Sequence, residues 1–149
     1  MSNATAQLAE HHKLCDEDFA AAEEAARKLD WPACSSAFAR FRQAMETHFG
    51  VEEDVLFPEF ERRTGMSGGP TRVMRMEHMQ MRSLLDQLDA AQSAHDAGGF
   101  CGAAETLLVM MQQHNMKEEN ILYPMCEQAL AGDAEIARRI GAGLHLETT

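Results

Sequence analysis

The chain has 149 residues, of which 45% are hydrophobic, and this is enough for one hydrophobic core. Its 24 acidic and 13 basic residues give a formal net charge of −11, which disfavours binding to nucleic-acid phosphates or to an anionic membrane surface. We therefore expect one domain over residues 1–149, with a core over about 8–130, and neither a nucleic-acid nor a membrane partner.

The start of the chain resembles no export signal. It has neither a basic leader nor an apolar stretch, and the longest strongly apolar run is residues 107–111. The four cysteines are scattered, without a Cys-x-x-Cys pair. These features predict a cytoplasmic protein with reduced thiols, although an even number of cysteines also permits two disulfides.

Four helical segments are indicated by seam residues spaced alternately three and four positions apart. Turn signals near residues 30–32, 65–70 and 98–99 separate the segments, and the fourth ends at 132–133. The first two seams are Leu8, His12, Cys15, Phe19, Ala22, Ala26 and Leu29, and Cys34, Phe38, Phe41, Met45, His48, Glu52 and Val55. The last two are Met74, His78, Met81, Leu85, Leu88, Gln92 and His95, and Ala104, Leu107, Met111, His114, Glu118, Ile121 and Met125.

The seams predict an all-α protein, since no stretch alternates with the period of a strand. Four helices with short connections and one apolar stripe each favour an up-down-up-down four-helix bundle. Residues 133–141 predict a short fifth helix that packs against the bundle, within a C-terminal helix and tail over 131–149.

Two prolines and one connection disturb this simple scheme. Pro58 and Pro124 lie inside helical patterns, where we expect helices 2 and 4 to bend or end. About 15 residues follow His48 before the turn at 65–70, but only about eight precede His78, a mismatch near 10 Å. A bend at Pro58 or a loop that runs back would absorb it.

The sequence also matches itself at an offset of 66 residues. Aligned identities are His12 and His78, Asp30 and Asp96, Met45 and Met111, His48 and His114, Glu52 and Glu118, Glu53 and Glu119, Leu56 and Leu122, Pro58 and Pro124, and Glu61 and Glu127. Phe57 aligns with Tyr123. Two helical hairpins therefore share one plan, and the repeated residues include histidine and glutamate on the apolar seam.

These polar seam residues predict a metal site. In each His-x-x-x-Glu motif the two side chains lie on one helical face, one turn apart. His12 and His48 each stand 18 residues from Asp30, so antiparallel helices bring them to one height, and the second hairpin repeats this arrangement about Asp96. The predicted ligands are His12, His48, Glu52, His78, His114 and Glu118. The alternative is a set of buried His–Glu hydrogen bonds without metal; with metal, the donors suit iron, zinc or manganese.

The motifs resemble those of the hemerythrin-like, or HHE cation-binding, family. The resemblance covers the four main helices and rests on His12, His48-Phe-Gly-Val-Glu52 with Pro58, His78, and His114-Asn-Met-Lys-Glu118 with Pro124. It implies two non-haem irons joined by an oxo or hydroxo bridge, with four terminal histidines and with Glu52 and Glu118 bridging; zinc or manganese are alternatives. Oxygen-carrying hemerythrins have a further histidine where this chain has Arg82. The four-His, two-Glu set is more similar to bacterial proteins linked to nitric oxide stress and iron–sulfur repair.

Three functions agree with such a site. The first is binding of O2, NO or peroxide at the carboxylate-bridged irons, in sensing, stress response or iron handling. The second is an enzyme or repair factor that reduces NO or O2, or donates iron to iron–sulfur centres. The third is a structural metal in a helical interaction module. The motifs specify neither catalytic turnover nor a protein partner.

Several neighbours of the motifs have expected roles of their own. His11 lies off the seam, and we expect it on the solvated surface. Glu53 and Glu119 suit a ligand role, a hydrogen bond to a ligating imidazole, or an exposed helix face, and are left unassigned. Tyr123 is expected to be a core aromatic residue rather than a donor to a bound oxygen species. His95 is expected to have a packing role at a helix end.

Overall fold

The computed structural model describes residues 4–145, and within that range the chain forms helices and turns without strands. The predicted all-α class is confirmed. The helices are α1 (Ala4–Arg27), α2 (Trp31–Val51, a π-helical turn Glu52–Leu56, then Phe57–Thr64), α3 (Pro70–Ser93), α4 (Ala97–Lys117, a π-helical turn Glu118–Leu122, then Tyr123–Ala129) and α5 (Ala134–His145).

The long helices form two antiparallel hairpins, α1 with α2 and α3 with α4. The hairpins join through contacts of α1 with α4 and of α2 with α3, which is the predicted up-down-up-down arrangement. Helix α5 packs against α1 and α2, with Ile136 and Ile140 buried, so the expected C-terminal helix is confirmed. None of the helices within residues 4–145 has the length and apolar character needed to cross a lipid bilayer.

The two hairpin turns have the same construction. The side chains of Asp30 and Asp96 each accept a hydrogen bond from the backbone N–H three residues later, at 3.2 and 2.9 Å. The residue before each aspartate, Leu29 or His95, has a left-handed backbone with φ of 61° or 55°. His95 also stacks on Trp31 at 5.1 Å between ring centroids, which is the packing role expected for it. The sequence repeat is therefore a repeat of structure.

Neither Pro58 nor Pro124 ends its helix, which corrects that part of the expectation. A proline has no N–H and its ring collides with the carbonyl four residues earlier. In both helices the π-helical turn precedes the proline, and the residue before the proline donates its N–H to the carbonyl of Glu52 or Glu118, five residues back. The widened turn accommodates the proline ring, and α2 and α4 continue for two more turns.

The connection between α2 and α3 is short. The structure places His78 beside Glu52, with 3.1 Å between Nε2 and Oε1, and not at the height of His48. One turn is about 5.4 Å, so this offset accounts for about half of the mismatch expected from the sequence. Gly65 closes α2 with a φ of 75°, and α3 begins at Pro70 after the short connection 65–69.

Two hydrophobic clusters fill the interior. One lies toward the turns at Asp30 and Asp96 and includes Phe41, Leu85 and Leu107. The other lies at the opposite end and includes Leu56, Phe60 and Ile140. Between them lies a layer of buried polar residues: His11, His12, His48, Glu52, His78, His114 and Glu118. A polar layer in this position is costly unless its atoms are paired, so it is the candidate site.

Candidate metal centre

All six sequence-predicted ligands are buried and converge in the polar layer. Their most exposed member, His12, has a relative exposure of 6%. Two groups of ligand atoms each lie within 4.8 Å of one another. We call them the four-ligand position, formed by Glu52, His78, His114 and Glu118, and the three-ligand position, formed by His12, His48 and Glu118. Glu118 belongs to both, as a bridging carboxylate would.

The four-ligand position presents buried polar atoms to one another without pairing them. Nε2 of His78 is 3.1 Å from Oε1 of Glu52, and Nε2 of His114 is 3.3 Å from Oε2 of Glu118. Neither contact forms a hydrogen bond. Of the buried side-chain nitrogen and oxygen atoms in residues 4–145, these four are the ones without a hydrogen-bond partner. A cation that prefers imidazole and carboxylate ligands would pair all four atoms.

The three-ligand position is internally hydrogen-bonded. Nε2 of His12 lies 3.1 Å from Oε1 of Glu118. The hydroxyl of Tyr123 donates its proton at 2.7 Å to Oε2 of Glu52 or at 3.0 Å to Oε1 of Glu118, and it lies 3.5 Å from Nε2 of His48. Burial and the two carboxylates raise the pKa of Tyr123 well above its usual value, so the hydroxyl keeps its proton.

Tyr123 is therefore more than the core aromatic residue that its alignment with Phe57 predicted. Its ring does pack in the core and stacks on His12 at 6.0 Å, as the Phe57 ring stacks on His78 at 5.7 Å. The hydroxyl distinguishes the two. A buried tyrosine needs a partner for its hydroxyl, and here the partners are the carboxylates of the site.

Each converging imidazole makes a hydrogen bond through Nδ1, the ring nitrogen that faces away from the centre. Three of the partners are carboxylates, in the pairs His12–Glu119 at 2.6 Å, His78–Glu53 at 2.7 Å and His114–Glu77 at 2.7 Å. These bonds fix the ring orientation, direct Nε2 inward and increase the basicity of Nε2. Of the roles left open for Glu53 and Glu119, the structure shows the hydrogen bond to an imidazole. Glu77 was missed by the sequence reasoning.

The π-helical turns explain how consecutive glutamates reach one imidazole. Because a π turn has more residues than an α turn, adjacent side chains are separated by a smaller angle. Glu52 and Glu53 therefore both face His78, at Nε2 and Nδ1 respectively. The repeat places Glu118 and its neighbour in the same relation to His12.

His11 is buried, so the prediction of a surface residue was wrong. Its Nδ1 lies 3.0 Å from Nδ1 of His48, and the two rings stack with centroids 5.2 Å apart. Burial, together with the charges of His48 and His12, lowers the pKa of His11 to about 3, so it is neutral and accepts the Nδ1 proton of His48. At the offset of 66 its counterpart is Glu77, which plays the same role for His114. That alignment was the signal available in the sequence.

The charges of the centre balance without metal. Burial alone would lower the pKa of His48, but the carboxylates of Glu52 and Glu118 outweigh burial and raise it to about 10. Burial likewise opposes ionisation of Glu118, yet its interactions with Glu52 and with the imidazoles of His114, His12 and His48 hold its pKa well below the usual range. Protonated imidazole therefore neutralises the carboxylates, and a metal ion would have to displace these protons.

A family comparison agrees with this geometry. The model of the hemerythrin HHE cation-binding domain matches residues 3–126. The chain belongs to this family. The resemblance drawn from the motifs is thereby confirmed, and the matched span of this hemerythrin-like chain includes all six predicted ligands. Neither the curated proteins nor the solved structures contain a match to the chain.

Arg82, which stands where oxygen-carrying hemerythrins have a further histidine, does not face the metal positions. Its guanidinium donates to both carboxylate oxygens of Glu53 at 2.9 and 3.1 Å and to Glu46 at 2.9 Å, and lies over the ring of Phe49. Burial raises the pKa of Glu53, but hydrogen bonds from His78 and Arg82 lower it to about 2. Arg82 thus braces the glutamate that orients His78.

Proposed function

We propose that the protein binds two non-haem iron ions in the polar layer. The observation that carries the proposal is the set of four buried, unpaired donor atoms at the four-ligand position, beside a second group that shares Glu118. In this proposal each ion has two terminal imidazoles, and the two carboxylates bridge. The proposed ligands are His12 and His48 for one ion, His78 and His114 for the other, and Glu52 and Glu118 as bridges.

The donor set supports iron, with zinc or manganese as the nearest alternatives. Imidazole and carboxylate suit all three metals, and neither group contains a thiolate or the all-oxygen cage of calcium. Membership of the cation-binding family is consistent with this choice. Bound iron would supply coordination positions to a small molecule, while the protein holds the imidazoles in one orientation, buries the carboxylates and places the Tyr123 hydroxyl beside them.

We further propose that the small ligand is O2, NO or peroxide, bound for sensing, stress response or iron handling. Six protein donors leave two ions with positions for such a ligand. A groove of about 770 Å³ between α1 and α4 reaches His12 and Glu119, and it supports access from solvent. None of the four cysteines forms a disulfide in residues 4–145, which supports a cytoplasmic location.

The experiment is a metal analysis of the purified protein beside its absorption spectrum with and without azide. Two irons per chain with a visible spectrum that azide changes reversibly would support a binding protein. Turnover of NO or O2 with an electron donor, or iron transfer to an apo iron–sulfur protein, would favour the enzyme or repair factor. Colourless zinc protein would favour the structural role, and a protein that retains no metal under any loading condition would refute the proposal.

A further inference from the structure

On the basis of the di-iron function proposed above, we infer that the two metal positions differ in affinity. The four-ligand position fills first and keeps its ion. The three-ligand position fills last and exchanges its ion with solvent. The difference is built where the two halves of the repeat depart from each other, at Tyr123 and His11.

The first argument is the number of hydrogen bonds that an ion must displace. At the four-ligand position the inward atoms of Glu52, His78, His114 and Glu118 have no hydrogen bond to lose within residues 4–145. At the three-ligand position an ion must displace the contact between His12 and Glu118 and must also separate Tyr123 from its carboxylate partner. Each lost hydrogen bond weakens binding, so the second ion binds less tightly.

The second argument comes from the repeat itself. Phe57 and Tyr123 occupy equivalent places against His78 and His12, but only the tyrosine brings a hydroxyl to the carboxylates. That hydroxyl engages Oε2 of Glu52, the oxygen opposite the one that faces His78. It also lies 3.0 Å from Oε1 of Glu118, so it contacts the two carboxylate oxygens that lie toward His12 and His48. The other two oxygens, Oε1 of Glu52 and Oε2 of Glu118, lie at the four-ligand position and accept no hydrogen bond from the described residues. The hydroxyl therefore competes with an ion at the three-ligand position and not with one at the four-ligand position.

The third argument is how firmly the imidazoles are held. His78 and His114 each donate to a carboxylate, and those carboxylates are braced by Arg82 and Lys117. The Nδ1 atom of His48 instead lies 3.0 Å from Nδ1 of His11, and a ring nitrogen is a weaker acceptor than a carboxylate and increases the basicity of His48 less. Arg82 and Lys117 offset the charge of those carboxylates. The two metal positions therefore differ in the strength of the acceptor behind each imidazole and in how rigidly that acceptor is held.

The fourth argument is access. The side chain of Glu119, which holds His12, is 43% exposed, whereas the side chain of Glu53, which holds His78, is 21% exposed. The groove between α1 and α4 is lined by both His12 and Glu119. An ion at the three-ligand position is thus nearer to solvent, because its ligand His12 and the supporting Glu119 both line the groove.

The test is an anaerobic titration of the metal-free protein with Fe²⁺ against a competing chelator. We expect two steps whose dissociation constants differ by about tenfold or more. His12→Ala should remove the weaker step and keep the tighter one, while the matched variant His114→Ala should remove the tighter step. Two equal steps, or the reverse assignment of the steps, would overturn the inference.

A mirror pair of variants tests the role of the hydroxyl. Tyr123→Phe removes the competing donor, and we expect the weaker step to tighten by about threefold to tenfold while the tighter step is unchanged. Phe57→Tyr places a hydroxyl in the other half and should weaken the tighter step. Circular dichroism checks that each variant folds. Tyr123→Phe removes only the hydroxyl group, so its titration is sufficient to test the role of the hydroxyl if Phe57→Tyr does not fold.

The outcomes separate this inference from the proposed function. A native protein that binds no Fe²⁺ would refute the di-iron function itself. A protein that binds two ions with one affinity, or in which Tyr123→Phe leaves both steps unchanged or weakens the second, would refute only the inequality of the positions. His11→Glu gives an independent readout, since a carboxylate behind His48 should tighten the weaker step.

Discussion

Replacing Glu118 by glutamine perturbs the centre at the residue that both metal positions share. The amide has nearly the same shape as the carboxylate but lacks its charge. Glu118 is fully buried, and its oxygens lie 3.1 Å from Nε2 of His12 and 3.3 Å from Nε2 of His114. Glu118→Gln therefore leaves buried protonated imidazole without part of its counter-charge.

The expected loss follows from the burial. Removing one partner of a buried ion pair costs about 3–5 kcal/mol of unfolding free energy. For a domain of this size each kcal/mol lowers the melting temperature by about 2–4 °C, so the metal-free variant should melt about 6–20 °C below the parent. It should also bind at most one iron, because each position loses a charged ligand.

The matched control is Glu119→Gln, the adjacent position. That side chain is 43% exposed and contacts only the outward Nδ1 of His12 among the bonds described above. We expect it to lose about 1 kcal/mol or less and, because it removes no predicted ligand, to hold two metal ions at saturating iron. Calorimetry of the metal-free proteins and metal analysis of the loaded ones provide the comparison. Equal melting temperatures and equal metal contents for Glu118→Gln and Glu119→Gln would refute the reasoning.

Three further predictions concern stability. Chelating both ions should lower the melting temperature, because free metal at 100 times its dissociation constant contributes about 2.7 kcal/mol; an unchanged melting curve after verified metal removal would count against the site. The pKa of His48 rises from 6.5 to about 10 in the folded metal-free protein, so protonated His48 stabilises the fold fully below about pH 6.5, and this stabilisation is lost as the pH rises through 10. The melting temperature should therefore fall between pH 7 and pH 10, and His48→Gln should lack this part of the fall. Asp96→Ala removes a helix cap and should cost about 1 kcal/mol in denaturant titration while metal content stays the same; a lost metal site would contradict the separation of cap and centre.

The sequence was sufficient to predict the meeting of the six candidate ligands. Their positions obey helical geometry twice over, through a four-residue step within α2 and α4 and through equal distances from the turns at Asp30 and Asp96. The rings of His12 and His48 accordingly lie 4.6 Å apart, and those of His78 and His114 lie 5.0 Å apart. Helical periodicity determines where a residue lies along and around its helix, and the convergence of these six residues follows from those two coordinates.

His11 was missed because a single seam keeps only one of two adjacent residues. In a four-helix bundle each helix faces two neighbours, so its buried stripe is wider than one seam. His12 faces Glu118 and Glu119 on α4, while His11 faces His48 on α2. Two consecutive side chains on α1 are buried because they serve different partner helices.

The π-helical turns and the hydroxyl of Tyr123 depend on information that helical periodicity lacks. A proline in a helix predicts a disturbance, but whether the chain ends, bends or widens depends on the packing beyond it. Here the segment after each proline is needed by the second hydrophobic cluster, in which Phe60 and Cys126 are buried, so the helix continues. The partners of the hydroxyl likewise depend on the contact between Glu52 and Tyr123, which packing of different helices creates.

Anomalous diffraction at the iron edge, from crystals of the iron-loaded protein, tests the central claim most directly. The account predicts two peaks in the polar layer, one between the imidazoles of His78 and His114 and one between those of His12 and His48, with Glu118 in contact with both. Iron bound elsewhere on the molecule, with these imidazoles and carboxylates still paired only to one another, would contradict it.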